Sequence, residues 1–318
     1  MKKVLITGIT GMIGKHLAKL YVKEGFEVGG ISRATSASRY FNESLDYKHF
    51  AGDIMDVKFL EEVWQKFNPD LVFHLAAQAF NGESWKAEET TYSLNIQGAH
   101  NVFETCRKFS PKARIIPACS SAEYGIVPDD MIPIDEDKTP LHPITPYGVS
   151  KAAMEMMARQ YHLNYNMDFV LPRLFIHVGP EHPPVTALQN FARQLAAIKL
   201  GLQKPVIIVG NMETARDFVD VRDGVKALYL LSQKGISGEV YNQCSGKAYT
   251  IKESLDMLIK ISGLNVTVEQ DKSLFRPSDE KLLLGKPDKL EALGWKAEIS
   301  FNETLTDIYN DWLSRLKK

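Results

Sequence analysis

Along the first half of the chain, short runs of almost uninterrupted aliphatic residues alternate with longer amphipathic stretches. Val4–Ile6, Glu27–Ile31, Tyr47–Phe50, Leu71–His74, Arg114–Ala118 and Phe169–Leu174 read as strands. Segments between them carry apolar residues at helical spacing, as at Leu17, Leu20 and Tyr21. Strands that are apolar on both faces and alternate with helices predict an α/β fold, a doubly wound parallel sheet covered on both sides. From about Pro180 the pattern loosens and prolines and glycines cluster, with two further helices expected over Thr250–Ser262 and Asn302–Leu316. The expected division is a sheet domain over 1–175, with later returns from the second half, and a smaller portion, mainly 176–318, closing over it. Ligands of such sheets bind in the cleft at the strand ends.

Composition narrows the class. The 318 residues are 44% hydrophobic and 24% charged, with 38 basic and 39 acidic side chains giving a net charge of −1. Disorder requires fewer apolar residues or a charge imbalance. A near-neutral chain lacks the long-range attraction to nucleic acid or an anionic membrane, so neither is expected as a partner. The N-terminal apolar run stops at Thr7-Gly8, short of a signal core, and no stretch reaches the roughly 20 apolar residues of a membrane helix. Cys106, Cys119 and Cys244 are scattered and form no CxxC pair, so no metal is expected and a reducing cytoplasm fits.

Thr7-Gly8-Ile9-Thr10-Gly11-Met12-Ile13-Gly14 follows the first strand and opens a helix. Glycines there permit a tight turn, close approach of a pyrophosphate to the backbone, and packing of helix on sheet. The helix N-terminus adds unpaired N–H groups and partial positive charge. Gly8, Thr10, Gly11, Met12 and Ile13 are therefore candidate dinucleotide contacts. The second strand ends Gly30-Ile31-Ser32-Arg33 without the acid that would bond an adenosine ribose. Arg33, helped by Ser36 or Arg39, is a candidate clamp for a 2′-phosphate, against the plainer reading of a solvated loop cation. NADP(H) is preferred and NAD(H) remains possible. Asp53 and Ile54 are placed to hold adenine, and Leu75, Ala76, Ala77 and Gln78 to flank the cofactor after the fourth strand.

Tyr147 and Lys151 stand four apart, on one helical face. A nearby ammonium favours phenolate, so the pair is expected to exchange a proton near neutral pH. Ser120, after an apolar strand, is placed to hold the same substrate oxygen. With the glycine turn, these residues and Asn95 in Leu94-Asn95-Ile96-Gln97-Gly98 resemble the extended short-chain dehydrogenase/reductase family over essentially the whole chain. The resemblance implies a Rossmann fold with Tyr147 as acid/base. Lys151 would hold the nicotinamide ribose and tune the phenol, with Ser120 as hydrogen-bond partner. Asn95 would support a structural water near the lysine, unless it is a helix-interior polar group bonded to backbone.

The second half resembles the sugar-nucleotide enzymes acting on GDP-mannose derivatives, through Val209-Gly210-Asn211, Arg216-Asp217-Phe218 and Arg276-Pro277-Ser278-Asp279. Carried over, Arg216 and Arg276 contact a nucleotide diphosphate and Asp279 reaches ribose; Ser121, Asn190, Arg193, Val209 and Asn211 complete the substrate set. The alternative for either arginine is a surface pair with Asp217 or Asp279. Tyr241–Gly246 matches as a structural strand and turn. Family dehydratases carry Thr/Ser-Ser-Glu, whose Glu removes the C5 proton; here the motif reads Ser120-Ser121-Ala122. Glu123 is not expected to substitute, because neighbours on an extended strand face opposite ways. What remains is hydride transfer at sugar C4, resembling reductases of the GDP-D-rhamnose type that act on a GDP-4-keto-6-deoxy sugar.

Departures bear on the sugar. Ile176 stands where the family has asparagine beside the substrate phosphates, removing a donor worth roughly 0.5–1.5 kcal/mol. Glu181-His182-Pro183-Pro184 also departs, and His177 either faces ligand or is a satisfied core histidine. Open alternatives are a GDP-hexose or GDP-heptose 4-dehydrogenase, a GDP-mannose 4,6-dehydratase, and a non-catalytic dinucleotide-binding scaffold. Family members dimerise through the helix bearing Tyr147 and the one before it. A homodimer is thus expected, although Phe103, Met154, Met156 and Met157 would equally serve an internal core.

Overall fold

The computed structural model describes residues 2–33, 45–275 and 280–317. The first half runs β1 (Lys3–Thr7), α1 (Met12–Lys23), β2 (Glu27–Ser32), β3 (Lys48–Ala51), α2 (Val57–Phe67), β4 (Leu71–His74), then the short α3 (Asn81–Ser84) and α4 (Glu88–Tyr92). A π-helical turn, Ser93–Gln97, leads into α5 (Gly98–Phe109), followed by β5 (Arg114–Pro117), β6 (Cys119–Ser120) and α6 (Pro146–Tyr165). β7 (Asp168–Phe169), β8 (Leu171–Leu174) and β9 (Ile176–Val178) precede α7 (Ala187–Lys199), β10 (Val206–Val209), β11 (Ala215–Asp220) and α8 (Val221–Lys234). The chain ends with β12 (Val240–Gln243), β13 (Ala248–Thr250), α9 (Ile251–Ser262), β14 (Thr267–Gln270), β15 (Leu282–Leu283), α10 (Asp288–Ala292) and α11 (Phe301–Leu316).

The main sheet has the order β3-β2-β1-β4-β5-β7, all parallel. Ala118 and Val170 carry two of its strands onward as β6 and β8, and β12 returns from the second half to pair with β8. The doubly wound parallel sheet is thus as the aliphatic runs foretold, because strands buried on both faces leave no alternating polar positions. One face packs α1 and α8 around Leu17, Tyr21, Val225 and Leu228; the other packs α2, α5 and α6 around Trp64, Phe103 and Met154. Strand order reverses between β1 and β4, which opens a crevice at their C-terminal ends.

A separate apolar cluster joins α7, α9 and α11 through Phe191, Leu255 and Trp312, beyond the sheet. Trp312 Nε1 reaches Gln189 Oε1 at 2.8 Å, which locks α11 onto α7. α9 and α11 begin close to the expected positions because Thr250 and Ser300 cap them, each accepting a backbone N–H three residues on. Among the described residues, no helix is long and apolar enough to cross a membrane.

Candidate active site

A cleft of about 1070 Å³ lies over the crevice between the sheet and the second half. That is large for one small ligand, since ligand pockets commonly hold roughly 300–1,000 Å³.

One wall is backbone. Gly8, Thr10, Gly11, Met12, Ile13 and Gly14 line it. A Cβ on Gly14 would lie 2.5 Å from Gly8 O, and one on Gly8, whose φ is +73°, 2.8 Å from Ala76 N. Both positions therefore demand glycine. α1 starts at Gly11 without a side-chain cap and has no acid in its first turn, so its N–H groups and dipole are available to an anion. Leu75 and Ala77 line the wall. These features suit a dinucleotide pyrophosphate.

Several expected cofactor contacts lie elsewhere. Ala76 does not line the cleft; its N–H donates to Thr7 Oγ1 at 3.2 Å and its methyl packs on the core. Gln78 folds back on itself, its Nε2 donating to Phe80 O at 3.1 Å and its Oε1 accepting Phe80 N at 2.9 Å. Ile54 is buried in the core, where it meets Gly98 at the start of α5. Asp53 Oδ1 accepts Met55 N at 3.0 Å, outside the cleft lining. Arg33 is exposed at the end of β2, also outside the lining, while Ser32 before it bonds His49 at 2.9 Å. Ser36 and Arg39 lie outside the described residues.

The floor carries the reactive groups. Thr145 caps α6 by accepting Gly148 N at 3.0 Å and Pro146 fills the first turn, which places Tyr147 one turn ahead of Lys151. Lys151 is buried, with Nζ 5.8 Å from the Tyr147 ring centroid and donating to Ala118 O at 2.7 Å. Tyr147 and Ser120 both line the cleft beside Lys151. Burial pushes the phenol up to about 12, with Ser120 opposing, and burial pulls the Lys151 ammonium down. This corrects the expectation of a phenol made acidic by its lysine: burial outweighs the pull of the nearby ammonium, and Tyr147 keeps its proton.

Asn95 accepts Gln78 N at 2.8 Å and donates to Gln78 O at 3.0 Å and Ser150 Oγ at 2.9 Å. Its hydrogen-bonding capacity is taken up by protein, and the π-helical turn points it at α6. This is the backbone-bonded alternative, with an added tie to the catalytic helix.

After Ser120 the chain makes a 3₁₀ turn, Ser121–Glu123, rather than continuing as a strand. Ser121 and Ala122 line the cleft, while Glu123 turns inward and is fully buried. The sequence was right that Glu123 faces away, but the cause is the turn and not strand alternation.

The opposite wall is made of side chains. Asn190, Asn211 and Arg216 line it. Arg216 pairs with Glu280, Nη2 to Oε2 at 3.3 Å and Nη1 to Glu280 O at 2.6 Å. Asp217 instead accepts from Ser245 and Gly246, and burial raises it to about 6. Val209 is not a wall residue: its side chain is in the core, and its neighbours Ile208 and Gly210 face the cleft. Arg193 stands behind the wall and donates to Asn190 Oδ1 at 3.3 Å. Arg276 and Asp279 lie outside the described residues. His177 Nδ1 contacts Phe175 O at 2.9 Å, and burial draws the ring down to about 4, so it is neutral.

The sequence did not single out the bond between the walls. Glu181, at φ +65°, pairs with Lys15 at 2.9 Å and Lys19 at 3.5 Å, while its N–H donates to Asp311 at 3.0 Å. Lys15 directly follows the glycine turn and Glu181 opens the departing Glu181–Pro184 run, but across 166 residues nothing pointed to their pairing.

The family profile described as GDP-mannose 4,6 dehydratase matches residues 5–308. GDP-6-deoxy-D-mannose reductase of Pseudomonas aeruginosa is 30% identical over 318 residues, covering 100% of this chain and 99% of that one. GDP-mannose 4,6 dehydratase 1 of Arabidopsis thaliana is 30% identical, covering 100% and 91%. Among solved structures, RMD from Pseudomonas aeruginosa complexed with NADPH superposes with a TM-score of 0.85 at 29% identity, over 99% of this chain and 100% of that one. UDP-glucose 4-epimerase of Thermus thermophilus complexed with NAD gives 0.87 at 27%, over 98% of each. The chain belongs to the GDP-mannose 4,6-dehydratase family, within the extended short-chain dehydrogenase/reductases. It is an enzyme of the oxidoreductase type in a nucleotide-sugar group, with a site for a nicotinamide dinucleotide.

Proposed function

We propose that this chain reduces the C4 carbonyl of a GDP-4-keto-6-deoxyhexose, with NADPH preferred to NADH. The observation that carries the reading is the gathering of Ser120, Tyr147 and Lys151 on one cleft floor, where Ala122 presents a methyl. A methyl cannot remove a C5 proton, so elimination of water lacks its base while carbonyl reduction lacks nothing. A bound nicotinamide supplies the hydride. Tyr147, still protonated at neutral pH, donates its proton to the forming sugar alkoxide, and Ser120 Oγ bonds the same oxygen. The Lys151 charge stabilises the phenolate left behind. Acid catalysis of this kind contributes typically 10²–10⁴-fold, and holding the reactants together supplies much of the rest. Gly8, Gly11, Met12 and Ile13 would hold the pyrophosphate, and Arg216 with Asn190 and Asn211 the sugar nucleotide. The acid-free end of β2 supports NADPH.

Two further readings attach. The sheet part over 1–175 and the part mainly over 176–318 act as cofactor and substrate lobes. The chain pairs with a second copy through α6, where Val149, Met156 and Leu163 are exposed at seven-residue spacing. Phe103 and Met154 are core, and Met157 packs against it.

Incubation with GDP-4-keto-6-deoxymannose and NADPH tests the reaction; loss of nicotinamide absorbance and a reduced GDP-sugar are expected. Formation of a dehydrated 4-keto product from GDP-mannose, with no reduction of the keto sugar, would replace this reading with the dehydratase. Sedimentation of wild type and Met156→Glu tests the pairing, the variant being expected as monomer.

A further inference from the structure

The turn after β6 holds a carboxyl that the proposed reaction does not use. Glu123 Oε1 accepts the backbone N–H of Ser120 at 2.6 Å, while Ser120 Oγ accepts that of Ala122 at 3.2 Å, a reciprocal capping arrangement. Glu123 Oε2 is buried and has no hydrogen-bond partner. The carboxyl shares its pocket with Glu155 and the Cys119 thiol, ligand atoms of the three lying within 4.8 Å of one another. Arg173 supplies the local positive charge: it grips Glu155 through two bonds of 2.8 and 2.7 Å and stands 3.7 Å from Glu123 Oε2. Arg159 adds a 3.0 Å bond to Glu155, and Arg173 also donates to the Tyr124 hydroxyl at 2.8 Å.

Glu155 therefore takes the forked guanidinium bonds of an ionised carboxylate. Glu123 receives one backbone N–H and no charged hydrogen bond. Two buried carboxyls beside one guanidinium do not both ionise cheaply. A donorless carboxyl oxygen facing a carboxylate is where an acid O–H belongs. We infer that Glu123 is an un-ionised positioning residue: its Oε2 carries a proton donated to Glu155, and its Oε1 fixes the backbone from which Ser120 meets Tyr147. Burial and the Glu155 charge hold the Glu123 carboxyl well above its ordinary range, in the same direction. Neutrality also matters to the floor, because a negative Glu123 would bind the Tyr147 proton more tightly and favour the charged form of Lys151.

The kinetic part rests on the proposed reaction; the ionisation part does not. Glu123→Gln keeps an acceptor for Ser120 and a donor for Glu155, whereas Glu123→Leu keeps the bulk and loses both. At neutral pH, the infrared difference spectrum between wild type and E123Q is expected to contain the carbonyl band of an un-ionised carboxyl. E123Q should keep kcat within about twofold and an unchanged pH profile. E123L should lose about tenfold in kcat with KM for both substrates unaltered. Absence of the band, or a shifted pH profile in E123Q, overturns the ionisation state; wild-type kcat in E123L overturns the positioning role. If E123L does not fold, Glu123→Asp, whose shorter stem withdraws the acceptor, takes its place with the same expected loss. A wild type that reduces no keto sugar would sink the proposed reaction, while the infrared band would still decide the proton on Glu123.

Discussion

The two walls of the cleft are made from different materials. The sheet wall is backbone held by neighbours in sequence: Gly8, Gly11 and Gly14 within one turn, with the free N-terminus of α1 behind them. The opposite wall is side chains held by partners far along the chain: Arg216 by Glu280, and Glu181 by Lys15, Lys19 and Asp311. A backbone wall suits a ligand common to many enzymes, because it asks only for space and N–H groups. A side-chain wall can be altered one residue at a time, and Ile176 and Glu181–Pro184 stand on it.

If the walls act separately, substitutions should divide by ligand. Tyr147→Phe, on the floor between them, should have the largest effect, lowering kcat by about 10²–10⁴-fold. Dinucleotide binding by fluorescence titration should stay within a few-fold; equal loss of both would mean the floor is part of the cofactor wall. Arg216→Leu should raise KM for the sugar nucleotide by roughly 10–100-fold, through loss of a charge-assisted contact, with KM for NADPH unchanged. Gly14→Ala should act the other way. Its Cβ would lie 2.5 Å from Gly8 O, costing about 1–3 kcal/mol by thermal melting and weakening NADPH first.

Histidine titration sharpens the contrast in stability. His177 is held at about 4 instead of 6.5, so the unfolded chain binds the extra proton first. Its contribution is intact above 6.5 and is lost as pH falls toward 4. His177→Asn should flatten the melting temperature against pH over that range. The smallest effect is expected from Glu181→Gln, which loosens the bond between the walls. Roughly threefold weaker binding of both ligands, fading in high salt, would mark it as a tie and not a contact.

The parallel sheet was legible because each strand announces itself by local hydrophobicity, and the helix starts because Thr145, Thr250 and Ser300 are short-range caps. The floor was legible from Tyr147, Lys151 and Ser120 for the same reason. Tyr147's hold on its proton was not, since it comes from the burial of the hydroxyl, which only the assembled floor produces. Gln78 and Asp53 looked exposed to the cofactor, yet each turned to nearby backbone groups that the sequence does not rank above a ligand. Val209 was misplaced by one residue, and on a strand one residue is the other face.

The pairing of Arg216 with Glu280 has a consequence for what the cleft will accept. A guanidinium already satisfied by a carboxylate gains little from a neutral guest, and any newcomer must outbid the anion in residence. Selection at this spot would then favour an anion over an uncharged group, since only a negative guest competes for the guanidinium.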